Sequence, residues 1–268
     1  MSTSGTALGT RTGSGGTSDP DDDGTTLVFV HGAWHGPWCW ESWSAEARRA
    51  GFPTASLTLP SHDRPGSRKR IWARMSSYVS HVRTVVASID GPVVIVGHSM
   101  GGYVAQRVLE DAPDNVAGAV LVASVPRRGV AGAVTRLLRR SPGPALRGLL
   151  TADLYRLCAS EPLVRDSFFC HATDDDVVRA CHARVQNESY LAFPPMLARF
   201  TRPDRVRVPV MVLAAEEDGI FSVRSQRRLA KAYGTSAQVV PGGHDVMLDV
   251  TADGALHLVL DWVRRTVR

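Results

Sequence analysis

The most informative residues for chemistry are Gly97-His98-Ser99-Met100-Gly101, which form a Gly-x-Ser-x-Gly pattern directly after an apolar run at residues 93–96. A helical pattern follows at residues 102–110, so the serine falls in a tight turn between a strand and a helix. Such a turn exposes the hydroxyl, and the flanking glycines remove Cβ atoms that would collide there. The helix directs its first N–H groups at the same point, where negative charge develops during acyl transfer. The pattern therefore predicts that Ser99 is a nucleophile.

A serine nucleophile needs a histidine base and a carboxylate that orients this base. Nine histidines are available, and we prefer His244, which lies in a loop at residues 241–245 between a short predicted strand and the closing helix. His98 directly precedes Ser99, but neighbours at such a turn point apart. His257 falls inside the last predicted helix. The alternative role for His244 is that of a residue that only caps the turn.

The orienting carboxylate is expected just after the predicted strand at residues 208–214, where three acidic residues follow at 216–218. We choose Asp218, because it directly precedes a turn into the next helix. Glu217 is the competing candidate, although a solvated carboxylate is the commoner role for glutamate. Asp245 comes after the histidine and fits the chain order serine, acid, histidine less well.

Acyl transfer also needs two donors for the developing oxyanion. The backbone N–H of Met100, directly after the nucleophile, is one candidate. The N–H of Ala33, in the loop after the first core strand, is the other. Gly32, Trp34 and Phe221 are predicted as substrate-pocket residues, and the glycine would let the backbone approach the substrate closely. The alternative interpretation of this glycine is a plain β-turn.

Strands alternate with helices along most of the chain. Apolar and β-branched runs predict strands at residues 25–30, 54–59, 93–96, 116–123, 208–214 and 237–240. Helical patterns occur at residues 40–50, 71–89, 102–110, 222–233 and 252–265. This alternation predicts an α/β fold with a mostly parallel central sheet and helices on both faces.

Residues 125–205 interrupt the alternation, because they contain helical patches and prolines but no clear strand. A segment of this length is too long for a loop. We predict an inserted, mainly helical cap over the C-terminal edge of the sheet, where ligands bind in such folds. The core would then comprise residues 25–124 and 206–268, and the Ser/Thr/Gly-rich residues 1–24 are expected to form a disordered tail.

Composition limits the possible functions. The net charge of +5 on 268 residues is too small to indicate nucleic-acid binding by itself, and no apolar run is long enough for a transmembrane segment. The N-terminus lacks the basic and apolar regions of a signal peptide. The spacing of the four cysteines shows no disulfide framework. We therefore expect a cytoplasmic protein.

These motifs together resemble the α/β-hydrolase superfamily. The resemblance is carried by residues 29–34, 97–102, 217–219 and 243–245 and extends over roughly residues 25–268. A second His-Gly pair, His35-Gly36, makes the loop at residues 31–40 similar to that of the plant esterase and hydroxynitrile lyase branch and its bacterial relatives. The resemblance implies an esterase-like serine hydrolase. Its implied residues are Ser99, His244 and Asp218 as the triad and Ala33 and Met100 as the oxyanion donors.

Two positions depart from the lyase pattern. Hydroxynitrile lyases of this branch carry Thr where Gly32 stands and Lys where Asp245 stands, and that lysine stabilises the cyanide leaving group. We therefore expect a cofactor-free hydrolase that cleaves a small-molecule carboxylic ester through an acyl-enzyme, and no cleavage of hydroxynitriles. A thioesterase, lactonase or cyclase that uses the same triad remains an alternative. So does a hydrolase-fold binding protein or receptor with slow turnover.

Two further patterns have simpler interpretations. The pairs Cys170-His171 and Cys181-His182 contain zinc-ligand types, but a helix between them would have to fold back for them to converge, so we expect no metal site. Residues 125–152 contain six arginines and no acidic residue, which usually indicates a solvated face. The alternative is a surface for an anionic membrane, a coenzyme A tail or an acyl carrier protein.

Overall fold

One six-stranded sheet forms the centre of the molecule. A computed structural model describes residues 24–198 and 200–267, so the predicted tail at residues 1–24 lies outside the described residues except for Gly24. The strands are β1 (Thr26–Val30), β2 (Thr54–Leu57), β3 (Val93–His98), β4 (Val116–Val122), β5 (Val210–Ala215) and β6 (Ala237–Val240). Their order is β2-β1-β3-β4-β5-β6, and every neighbouring pair is parallel. The predicted α/β fold with a parallel sheet is confirmed.

Helices cover both faces of the sheet. Five belong to the regular alternation: α1 (Glu41–Arg49), α2 (Met75–Ala87), α3 (Met100–Leu109), α9 (Val223–Ala232) and α10 (Ala252–Thr266). In β1, Leu27 and Phe29 pack on the side of α1 and α10, whereas Val28 and Val30 pack on the side of α2, α3 and α9. Two apolar cores result, one on each face, because successive side chains of a strand point to opposite faces.

The second strand is shorter than predicted. It ends at Leu57 and not at residue 59. The Leu59 N–H donates a hydrogen bond to Nε2 of His31 (3.2 Å) and is therefore turned away from the sheet ladder. A side chain beyond the strand thus sets where the strand stops.

The second helix begins later than the apolar pattern predicts. Arg74 is extended, with ψ 152°, so α2 starts at Met75 instead of residue 71. The carbonyl of Ala73 accepts a hydrogen bond from Oγ of Ser189 (2.6 Å). This contact with a distant segment holds the preceding residues outside the helix.

The segment between β4 and β5 contains helices joined by loops, and no strand among its described residues. It contains α4 (Ala131–Arg140), α5 (Pro142–Thr151), α6 (Glu161–Phe168), α7 (Asp175–Arg184) and α8 (Phe193–Ala198) together with short 3₁₀ turns. We call this stretch the inserted segment. Gln186 ties it to the core, because its N–H donates to the Trp34 carbonyl (2.8 Å) and its side-chain amide donates to the carbonyls of His35 and His62 (3.0 Å each). No helix among the described residues is both long and apolar enough to cross a membrane.

Candidate active site

Ser99 occupies a strained turn between β3 and α3. Its backbone has φ 51° and ψ −115°, which is an unfavourable conformation for a residue with a side chain. The flanking glycines allow the turn to pack closely. A Cβ at Gly101 would lie 2.3 Å from the carbonyl oxygen of Val30, and one at Gly97 would lie 2.6 Å from the carbonyl oxygen of Gly101. The local sequence therefore places the serine at the carboxyl end of the central strand.

The His244 ring contacts the Asp218 carboxylate inside the protein. Nδ1 lies 3.0 Å from both carboxylate oxygens, and each side chain is 1% exposed. Oδ1 of the aspartate also accepts hydrogen bonds from the N–H groups of Ile220 (2.7 Å) and Phe221 (2.8 Å). Since a carboxylate can only accept, Nδ1 carries the proton, and Nε2 is left as the basic nitrogen.

The neighbouring Glu217 has a different environment. Its side chain is exposed, and Oε2 lies 2.7 Å from Nδ1 of the exposed His171. The hydrogen bond from this histidine lowers the pKa of Glu217, and the same bond raises the pKa of His171. The structure therefore brings Asp218, and not Glu217, to the ring of His244.

Ser99, Ala33 and Met100 line one cavity. Met100 is the first residue of α3, so its N–H has no acceptor within the helix. The cavity has a volume of about 100 Å³. Its other lining side chains are mostly apolar and include Trp34, Val125, Val130, Val134, Leu137, Leu157, Leu163, Phe168, Phe193, Met196, Ile220 and Phe221. Two predicted pocket residues, Trp34 and Phe221, are thus part of its wall.

The third predicted pocket residue, Gly32, lies behind the serine and does not belong to this wall. A Cβ at Gly32 would lie 2.7 Å from Nδ1 of His98 and 3.0 Å from Cβ of Ser99. Any side chain at this position would therefore require the His98 ring or the Ser99 side chain to shift. The threonine of the lyase pattern could not be accommodated without a shift of these neighbours.

His31 orients the peptide that carries the Ala33 N–H. Its Nδ1 donates to the carbonyl of Gly32 (2.8 Å), and its Nε2 accepts from the Leu59 N–H (3.2 Å). With one donor and one acceptor nitrogen the ring is neutral. Burial and the nearby His62 lower the pKa of His31, in keeping with this state. The sequence analysis placed Gly32 and Ala33 in the oxyanion loop but gave the His31 side chain no role, and so it missed this contact.

A second buried carboxylate, Asp245, lies directly after His244. Its Oδ2 accepts from Nε2 of His35 (2.8 Å), whose Nδ1 donates to the Ala33 carbonyl (2.7 Å). With two donor nitrogens, His35 is an imidazolium. Burial opposes both charges, but the attraction between them is stronger, so the pKa of His35 is raised and that of Asp245 is lowered. The sequence analysis singled out the pair His35-Gly36 but did not connect it with Asp245.

His98 completes this buried cluster. Its Nε2 donates to the backbone carbonyl of His244 (3.1 Å) and lies 3.6 Å from Oδ1 of Asp245. Burial lowers the pKa of His98 strongly, and the nearby His244 lowers it further. The residue that precedes the serine thus supports the loop that carries His244.

Asp249 ties the His244 loop to the inserted segment. Its Oδ2 accepts from the N–H groups of Gly243 (2.5 Å) and Cys170 (3.1 Å), and its Oδ1 accepts from Oγ1 of Thr173 (2.5 Å). These bonds lower the pKa of Asp249 against the opposing effect of burial. The position of His244 therefore depends on residues of the inserted segment.

The four cysteines are free and buried. The two Cys-His pairs lie in different environments: Cys170 contacts Asp249 (3.4 Å), whereas Cys181 contacts Asp245 (3.9 Å). Potential metal-ligand atoms do approach one another in two groups, His35 with Cys181 and Asp245, and His98 with His244 and Asp245. Both nitrogens of His35 already donate hydrogen bonds, so this ring has no lone pair for a metal.

Glu188 is a buried carboxylate that no sequence pattern indicated. Its Oε2 lies 2.9 Å from Nε2 of His62, and its Oε1 accepts from the Tyr78 hydroxyl (3.0 Å). Burial opposes the charge on His62, but the glutamate raises its pKa above the usual value. Glu188 is 126 positions from His62 and 110 positions from Tyr78 in the chain. No local sequence pattern therefore connects these residues.

Comparisons with known proteins agree with this architecture. The sequence model of the alpha/beta hydrolase family matches residues 27–254. A carbendazim-hydrolysing esterase from Nocardioides sp. (strain SG-4G) is 30% identical over 247 residues, which cover 84% of this chain and 94% of the relative. The probable esterase PIR7A of Oryza sativa subsp. indica is 34% identical over 106 residues, 39% of this chain and 40% of the relative. A thermophilic esterase structure from Thermogutta terrifontis has the same fold, with a TM-score of 0.71, 19% identity and 91% of each chain covered.

Proposed function

The chain belongs to the alpha/beta hydrolase family as an esterase-type enzyme, and from this premise we propose that it hydrolyses small carboxylic esters through an acyl-enzyme on Ser99. The observation that carries the proposal is the buried contact between His244 and Asp218, with the centre of the His244 ring 4.8 Å from that of the ring of His98, the residue that precedes Ser99. Supporting it, two backbone donors and the serine line one largely apolar cavity. In this proposal residues 125–205 act as the cap over that cavity.

In the first half of the reaction, Oγ of Ser99 attacks the ester carbonyl carbon and its proton passes to Nε2 of His244. The carbonyl oxygen becomes an oxyanion, which accepts hydrogen bonds from the N–H groups of Ala33 and Met100. The Asp218 carboxylate keeps Nδ1 protonated and stabilises the imidazolium. When the tetrahedral intermediate collapses, the alkoxide leaves with the proton from Nε2 and the acyl group remains on the serine.

In the second half, water attacks the acyl carbon while Nε2 of His244 takes one of its protons. The same two N–H groups donate hydrogen bonds to the new oxyanion. Collapse breaks the bond to Oγ of Ser99, the serine recovers a proton from the histidine, and the carboxylic acid is released. Apart from the ester and water, these steps use only side chains and backbone groups of the chain, so the proposal includes no cofactor.

The cavity indicates which esters suit the site. Its wall is mainly aliphatic and aromatic, so burial of an apolar acyl or alcohol group would favour binding. A volume of about 100 Å³ suits short groups. We therefore propose that the part of the ester held in this cavity is short and apolar, and the relatives named as esterases support an ester as substrate.

The proposal predicts that Ser99→Ala lowers kcat for p-nitrophenyl butyrate by about 10³-fold or more without a change in melting temperature. A fluorophosphonate should add its mass to the wild type and not to the variant. Steady release of p-nitrophenol from the wild type is expected, whereas a single burst without turnover would identify a binding protein instead. Adduct formation or near-normal turnover in the variant would remove Ser99 from the mechanism.

A further inference from the structure

A second concave site adjoins the Ser99 cavity. It has a volume of about 680 Å³ and lies between the start of the inserted segment and helix α9. Its charged lining residues are Arg127, Arg128, Arg136 and Arg228, and we call it the arginine groove. Ala133, Ile220 and Phe221 line both the groove and the Ser99 cavity, so the two sites share a wall.

No acidic side chain among the described residues neutralises the positive charge in the groove. No aspartate or glutamate belongs to the lining, and Arg128, Arg136 and Arg228 form no ion pair with any side chain that the structure describes. Arginines elsewhere do have acidic partners: Arg165 pairs with Asp175 and Arg184 with Glu41. The groove therefore concentrates unpaired guanidinium groups around a concave space, which attracts anions.

The beginning of α9 lines the same space, although the Ser225 hydroxyl already donates to the Ser222 carbonyl (2.7 Å). Ser222 caps this ten-residue helix by accepting a hydrogen bond from the Ser225 N–H (3.3 Å), and both serines line the groove. The positive end of the helix dipole thus faces the same side as the arginines. Guanidinium groups, hydroxyls and a helix N-terminus together are typical partners of carboxylates and phosphates.

We propose that the arginine groove binds an anionic group, carboxylate or phosphate, of a small-molecule ester or thioester whose carbonyl lies at Ser99. This inference rests on the proposed function, because it assigns the second part of the same substrate. A concave volume of this size is in the range of small-molecule pockets, about 300–1,000 Å³. A carrier protein would need a broad surface instead, so a small molecule is the favoured occupant.

The test compares matched charged and neutral substrates. Butyryl-coenzyme A carries phosphates, and S-butyryl-N-acetylcysteamine has the same acyl thioester without them. The p-nitrophenyl half-ester of adipic acid carries a carboxylate, and p-nitrophenyl hexanoate is its neutral counterpart. For each pair the ratio of kcat/KM, charged over neutral, is measured, which separates phosphate from carboxylate as the group that the groove binds.

Two triple variants make the charge change specific to the groove. The first replaces lining residues: Arg128→Gln, Arg136→Gln and Arg228→Gln. The control, Arg139→Gln, Arg224→Gln and Arg227→Gln, removes three exposed charges from the same helices, α4 and α9, but outside the lining. We expect the first variant to lower the ratio about tenfold or more for at least one pair, and the control to change it by less than about twofold.

Three outcomes would overturn the proposal. Equal effects of the two variants would indicate a general surface field, and no effect of either would indicate a solvated face. In the third outcome, the lining arginines affect kcat/KM only when the acyl group is supplied on an acyl carrier protein, and not with the small charged substrates. This result would assign the surface to a protein partner.

A binding measurement separates this inference from the catalytic proposal. Adenosine 3′,5′-bisphosphate and adipate are titrated calorimetrically into the wild type and both triple variants at low and high salt. Saturable binding of either probe that the lining variant alone loses would support the groove even if no ester were hydrolysed. Hydrolysis of neutral esters without binding of any probe would retain the Ser99 proposal and refute the groove.

Discussion

At the scale of single residues, burial distinguishes two adjacent carboxylates. Asp218 is buried, accepts hydrogen bonds from two backbone N–H groups and contacts the ring of His244. Glu217 extends into solvent and contacts the exposed His171. Because only a carboxylate at Nδ1 can fix the tautomer and stabilise an imidazolium during the reaction, the two should differ greatly in their effect on turnover.

We expect Asp218→Asn to lower kcat by about 10³-fold or more, because the amide no longer stabilises the positive charge on His244. Glu217→Gln is the matched control and should stay within about threefold of the wild type, since exposed ion pairs contribute little. Both are assayed with p-nitrophenyl butyrate, with circular dichroism to verify folding. A severe loss of kcat with Glu217→Gln and a mild loss with Asp218→Asn would instead identify Glu217 as the carboxylate that orients His244.

The sequence was informative at this scale where the signal is local. Ser99 and Met100 could be named because strand, glycines and helix are adjacent in the chain. His31, Asp245 and Glu188 were not assigned, because their contacts join residues far apart in sequence. Asp245 was set aside because it follows the histidine in the chain, yet it lies buried beneath the same site.

At the scale of elements, α3 packs on β1 at a distance that only glycine permits. The missing side chain at Gly101 lets the helix approach the carbonyls of Val30 and His31, 2.3 and 2.4 Å from a hypothetical Cβ. These atoms belong to the backbone of a central strand and its end, so they cannot move aside at little cost. The helix that begins behind the nucleophile is thereby fixed against the loop that carries Ala33.

Gly101→Ala should therefore destabilise the protein by about 1–3 kcal/mol and lower kcat. Gly254→Ala in α10 is the control, since nothing lies within 4 Å of a Cβ there. Alanine in an open helical position should stabilise the protein by up to about 1 kcal/mol. Urea unfolding and p-nitrophenyl butyrate turnover measure both quantities. Equal stability changes in the two variants would show that the close approach has no energetic consequence.

Element boundaries show why the sequence predicted the order of elements but not each end. All six strands follow from apolar runs, because a parallel sheet buries both faces. The end of β2 and the start of α2 were predicted wrongly, because hydrogen bonds to His31 and Ser189 determine where these elements stop and begin. Those partners come from other parts of the chain, and local periodicity carries no information about them.

At the scale of the whole molecule, one buried ion pair joins the ends of several elements. Asp245 follows β6, its partner His35 follows β1, and His98 ends β3. The Asp245 N–H also donates to the carbonyl of Phe168 in the inserted segment (2.8 Å). Loss of the charge on Asp245 would leave an unpaired imidazolium among these elements, which is costly in a buried site.

We expect Asp245→Asn to lower the unfolding free energy by about 3–5 kcal/mol at its maximum. The pKa of His35 is higher in the folded protein than the value of about 6.5 expected in the unfolded chain. The resulting stabilisation is complete below about pH 6.5 and is lost as the pH rises through the pKa of the folded protein. The pKa of Asp245 is lower in the folded protein than the value of about 3.9 expected in the unfolded chain. The resulting stabilisation is complete above about pH 3.9 and is lost as the pH falls through the pKa of the folded protein. The difference between wild type and variant should thus be largest between about pH 4 and 6.5.

Urea unfolding across pH 3 to 9, about half a unit per step, measures this window. Glu217→Gln removes the same kind of partner from the exposed His171 and serves as the control, for which no measurable pH-dependent change is expected. A difference between wild type and Asp245→Asn that does not vary with pH would show that the pair is not ionised in the folded protein.

The wall of the Ser99 cavity has a consequence for how this enzyme could evolve. Val134 and Leu137, on α4, line the cavity and pack against apolar clusters that lie outside the His244 loop. Phe168, in contrast, holds Asp245 through its carbonyl. Substrate range can therefore diverge through substitutions on α4 while turnover chemistry is conserved. A library for laboratory evolution would place its diversity there and leave the stretch around Phe168 unchanged.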